Sequence, residues 1–117
     1  MCVLVSRIAR DGILHLLLLR YKASEQEAAP FVAAHVEFLE QHHGDGTFVL
    51  SGQTIPSELG GAVLARGVDR AGIEKIVAQD PFVVGGVGKY LIMTIDPGRV
   101  HPALAALLGA DASRVRG

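Results

Sequence analysis

The sequence predicts an α+β fold in which two helices cover one face of a four-stranded antiparallel sheet. Three observations predict it. Strand-like runs and helical patterns follow one another in the order β-α-β-β-α-β along 117 residues. The two central runs are joined by one short, proline-bearing loop, the pattern of an antiparallel hairpin. The length suits a single domain spanning 1–117, with a core of about 13–95, a C-terminal extension over 96–117 and room for only a modest buried interior. This element order is the ferredoxin-like arrangement.

Residues 1–12 contain Cys2-Val3-Leu4-Val5, a short strand or part of an extension. Ile13 to Tyr21 is almost continuously apolar, bounded by Gly12 and a polar stretch, as a centrally buried strand should be. Its leucines favour helix and oppose that reading. A helix follows from Ser24 or Pro30 to His43, with Pro30 tolerable only in a first turn. Phe31, His35, Phe38, Leu39 and His42 recur at helical spacing on one face. Gly44-Asp45-Gly46 ends that helix.

Thr47 to Gln53 is the second strand, and strict alternation puts Phe48 and Leu50 on one face, with Ser51 and Gln53 on the other. Gly60-Gly61 opens the third strand, which runs to Arg66. Asp69 caps a helix through Ile73, Ile76 and Val77 to about Gln79, which Pro81 stops. Phe82 to Ile95 is expected to be the last strand, bent or bulged at Gly85, Gly86 and Gly88. His101 to Leu108 forms a short appended helix, and Ala110 to Gly117 a loose tail.

Half of the residues are hydrophobic, more than so small a core can hide. A second copy covering the open face of the sheet is the natural remedy, so a homodimer is expected. A net charge of -1 and scattered basic residues give no support for nucleic acid or membrane as partners. The apolar runs are too short to span a bilayer, and the single Cys2 provides no disulfide framework. A cytoplasmic setting is the default expectation.

Chemistry narrows to His35 and Asp80. A histidine on an apolar helical face is often only a core residue with one satisfied hydrogen bond, and Asp before Pro is an ordinary turn feature. Together they suit acid/base work: a neutral imidazole exchanges protons near pH 7 when a carboxylate fixes its tautomer. That requires a nitrogen-to-oxygen separation of roughly 2.6–3.2 Å beside an open cleft. Ser51 lacks a G-x-S-x-G elbow, so it suits hydrogen bonding to a substrate better than nucleophilic attack. Gln53 offers a second polar group beside it. His42 and His43 point about 100° apart on a helix and do not share a metal, and His15 and His101 complete no site. No metal or cofactor is expected.

The stretches Ala34-His35-Val36-Glu37-Phe38-Leu39, Gly46-Thr47-Phe48-Val49-Leu50-Ser51-Gly52 and Asp80-Pro81-Phe82…Gly86-Val87, in that order, resemble the YCII-related (YciI-like) family. The resemblance covers about Ile13 to Ile95. It implies a dimeric α+β barrel whose cleft holds a His–Asp pair, here His35 and Asp80, with Ser51, Gly52, Gln53 and Phe82 as cleft residues. Two positions depart from the family pattern: Gln53 stands where proline is common, and Val32 where a basic residue is frequent. One known activity in the family is dehydrochlorination of a chlorinated hydroxyhydroquinone. The expectation is therefore a small enzyme using His35 and Asp80 for lyase, isomerase or dehydrochlorinase-like chemistry on a cyclic or aromatic metabolite. The alternative is a non-catalytic domain that binds a small molecule.

Overall fold

The structure, a computed structural model, describes residues 12–108. The strand expected at Cys2–Val5 and the tail beyond Leu108 lie outside the described residues. Four antiparallel strands, β1 (Leu14–Tyr21), β2 (Phe48–Gln53), β3 (Gly60–Arg66) and β4 (Gly88–Ile95), form one sheet in the order β2-β3-β1-β4. This is the ferredoxin-like α+β arrangement.

The first crossover is segmented. Ser24 accepts from the Glu27 amide while the Glu27 carboxylate takes the Ser24 amide, a capping box that starts the short helix α1 (Glu25–Ala28). A 3₁₀ turn at Ala29–Phe31 carries Pro30, and α2 (Val32–Gly44) begins beyond it. The continuous helix therefore starts two residues after the proline, because the turn holding Pro30 is wound more tightly than α-helix. Helix α3 (Arg70–Val77) is capped by Asp69, whose carboxylate accepts from the Gly72 amide at 2.8 Å, as its sequence position predicts.

Both helices cover the sheet face that carries the odd-numbered residues of β1. Leu17, Val63, Ala65 and Phe48 from the sheet meet Phe38 of α2 and Ile73 and Val77 of α3 in the main core. A second cluster, Leu19, Ala28, Phe82 and Val87, closes the end of the sheet near α1. Leu17 and Ile73 are completely buried, so truncating either to alanine should cost about 2–5 kcal/mol. The opposite sheet face leaves Leu50, Leu91, Met93 and Ile95 exposed.

Two readings of the sequence are corrected. Phe82 does not begin a strand: Pro81–Val84 is one further helical turn, α4, and β4 starts only at Gly88. Asp80 caps that turn through the Phe82 amide and Pro81 occupies its first position, so the proline starts a turn here as well as stopping α3. The glycines after it end the turn rather than bulge a strand. Gly85 closes it, and a β-carbon there would meet the Phe31 ring at 2.5 Å. The second correction concerns β2. Phe48 pairs with Ala65 and Leu50 with Leu64, so Val49 is an extra residue, a β-bulge. Phe48 is consequently buried under the helices while Leu50 lies on the open face. Ser51 pairs with Val63 and Gln53 with Gly61, and the bulge brings both to the helix side with Phe48, where strict alternation sets them on the opposite face from it. The final helix, α5 (Pro102–Leu107), is capped by the imidazole of His101, which accepts from the Ala103 amide.

Candidate functional site

Helix α2 brings His35 against the α3–β4 junction. Its Nδ1 lies 2.9 Å from both carboxylate oxygens of Asp80. Asp80 is completely buried, and three donors converge on it. The Phe82 amide reaches Oδ1 at 2.8 Å, the Tyr90 hydroxyl reaches Oδ2 at 2.5 Å, and His35 Nδ1–H is shared between the two oxygens. The local sequence makes this possible. Asp80 is extended, as a residue preceding proline prefers, and that geometry turns its side chain back over the first turn of α4.

A carboxylate only accepts, so the hydrogen of a neutral His35 ring sits on Nδ1. Nε2 is left with a lone pair. No described residue bonds to it, and His35 lines a cavity of about 340 Å³. The ring is fixed from one side by Phe82, stacked with centroids 4.1 Å apart and planes within 10°. The imidazole comes from α2, and its carboxylate partner and aromatic support come from the capped turn α4; the one unused nitrogen is not buried.

Tyr90, on β4, is the member that sequence reasoning missed. Burial and the adjacent Asp80 charge, together with the hydrogen bond to that carboxylate, push its phenol far above the ordinary tyrosine range. Tyr90 thus stays a donor across the physiological range and supports Asp80 without competing for protons. The available signal was its position in β4: Tyr90 is opposite Leu19, on the helix side of the sheet, so its hydroxyl needs a buried partner.

The cavity lies between α2 and the ends of β1, β2 and β3. Val32, Val36 and Leu39 form its helical wall, and Leu19, Tyr21 and Val63 its sheet wall. Ser51, Gly52, Gln53 and Phe82, the four cleft residues expected from the sequence, all line it together with His35. Asp80 stands behind His35. The β3 edge of the cavity needs Gly60: its φ is +124°, and a β-carbon there would lie 1.9 Å from the Leu19 carbonyl oxygen. His42 and His43 diverge as helix geometry requires. His42 is buried against Phe38 and Phe48 and bonds to Asp45, whereas His43 reaches Ser51.

The model of the YCII-related domain matches residues 13–96. The chain belongs to the YCII-related family. Among solved structures it resembles 5-chloro-2-hydroxyhydroquinone dehydrochlorinase from Burkholderia phenoliruptrix AC1100, determined in complex with 2,5-dihydroxybenzoquinone. The two share 17% identity, with a TM-score of 0.60 over 74% of this chain and 95% of that one. At that identity the likeness establishes the shared fold. No match was found among curated protein sequences.

Proposed function

We propose that this family member is an enzyme in which His35 transfers protons on a small cyclic or aromatic substrate, with Asp80 as its orienting partner. The observation that carries this reading is that His35 lines a cavity with Nδ1 tied to a buried carboxylate and Nε2 unburied and without a partner among the described residues. In this mechanism Nε2 removes a proton from the bound ring, and Asp80 stabilises the imidazolium that forms. Return of that proton to another ring position gives isomerisation; loss of a leaving group instead gives elimination. Neither outcome calls for a cofactor. The apolar, partly aromatic lining suits a ring, and the dehydrochlorinase of similar fold, whose structure is a complex with 2,5-dihydroxybenzoquinone, supports that substrate class.

The same reading includes a homodimer formed sheet to sheet, because Leu50, Leu91, Met93 and Ile95 stay exposed on one side of the sheet. It has a cytoplasmic protein acting on small molecules, not on nucleic acid or membrane. The test compares wild type with His35→Ala and Asp80→Asn on a panel of chlorinated and hydroxylated aromatics. Turnover that survives both substitutions in folded protein would sink the mechanism. A ligand that raises thermal stability and is recovered unchanged would point to a binding domain instead.

A further inference from the structure

The proton-transfer reading makes no use of His43, yet His43 is connected to the cavity. It follows His35 by eight residues on α2, its ring is exposed, and its Nε2 lies 2.8 Å from Ser51 Oγ. Ser51 is part of the cavity wall. Among the described residues, that wall carries no lysine, arginine, aspartate or glutamate. The Tyr90 hydroxyl is already committed to Asp80. A ligand oxygen entering from the β2 side therefore meets Ser51 and Gln53, with His35 on the helical wall.

A serine hydroxyl has a single proton to give, and His43 decides where it goes. When His43 carries hydrogen on Nε2, it donates to Oγ, and the Ser51 proton is free for a ligand carbonyl. When Nε2 is bare it takes the Ser51 proton, and Ser51 offers only lone pairs, which suit a phenolic O–H. Because the His43 ring is exposed, exchange with water can interconvert the two tautomers. We propose that His43 is a positioning residue that acts through Ser51, setting the hydrogen-bonding sense of the β2 wall. The matching ligand is an uncharged ring whose oxygen is a phenol in one form and a carbonyl in the other. This inference rests on the proton-transfer reading, since isomerisation or elimination on a hydroxylated ring interconverts those two forms.

The experiment is a thermodynamic cycle over Ser51→Ala, His43→Phe and the double variant. Two probes are titrated by calorimetry: hydroquinone, which donates, and 1,4-cyclohexanedione, which only accepts. Ser51→Ala should weaken both about three- to tenfold, the worth of one net hydrogen bond. His43→Phe should weaken them about threefold with Ser51 present and leave them unchanged in the Ser51→Ala background, the coupling signature of residues acting as one unit. Nitrogen chemical shifts of the His43 ring should move in opposite senses with the two probes. Equal effects of His43→Phe in both backgrounds, or none in either, would overturn the proposal. If neither probe binds wild type, the proton-transfer reading for hydroxylated rings falls with it. Binding that is lost in His35→Ala but indifferent to His43→Phe removes this inference alone.

Discussion

His15 on β1 and His35 on α2 each bond through Nδ1 to a side chain distant in sequence, Thr94 for one and Asp80 for the other. Their second nitrogens differ. Nε2 of His15 lies 2.9 Å from the Val68 carbonyl, and the residue is completely buried. A carbonyl only accepts, so His15 carries its hydrogen on Nε2 and takes the Thr94 hydroxyl proton at Nδ1. His35 carries its hydrogen on the other nitrogen, and its Nε2 is unburied and without a partner among the described residues. The first ring is a closed bridge between β1, β4 and the loop before α3; the second is held at one end only. Burial among apolar neighbours therefore does not separate a bridging histidine from a candidate proton carrier. An uncommitted, unburied nitrogen beside a cavity does.

The largest effect should come from crossing the two sites. His35→Ala is expected to lower turnover about 10²–10⁴-fold in steady-state assays, with the fold kept by circular dichroism. His15→Leu should do the reverse. It preserves apolar bulk but strands the Val68 carbonyl and the Thr94 hydroxyl, costing about 1–3 kcal/mol in urea unfolding with turnover per folded molecule unchanged. A fall in turnover for His15→Leu matching that for His35→Ala would erase the distinction between the rings.

Tyr90→Phe sharpens the comparison with a smaller effect. The Tyr90 phenol titrates higher in the folded protein than its ordinary value of 10.0. Above pH 10 the unfolded chain therefore loses this proton while the folded chain keeps it, so stability falls as pH rises. Below pH 10 the contribution is fully present. The wild type should lose up to about 1.4 kcal/mol per pH unit above 10 that Tyr90→Phe does not lose. Parallel stability curves for the two proteins between pH 10 and 11 would show that Tyr90 is not held as described.

Much of this was legible in the sequence where local chemistry is strong. Asp69 announces its helix by a side-chain cap, the apolar run from Ile13 announces a central strand, and His35 follows the helical spacing of Phe31, Phe38 and Leu39. The turn at Pro81–Val84 was obscured because Phe82-Val83-Val84 has strand-forming side chains, although Asp80-Pro81 is also a good helix start. The contact of Tyr90 with Asp80 was not legible, since it depends on the registry of β4 beside α4 and not on spacing. His43 meeting Ser51 is likewise a matter of how α2 lies across β2.

The extra residue at Val49 has a consequence for how this protein tolerates change. Phe48 and Ser51 are three positions apart, an odd number, yet both must face the helices, one for the core and one for the cavity. Val49 supplies the missing count, much as an inserted base restores a reading frame. Deleting it would force a choice between expelling Phe48 from the interior and turning Ser51 and Gln53 away from the cavity. Substitutions at Val49 that keep the backbone leave both in place, so this position is governed by chain length more than by side-chain chemistry.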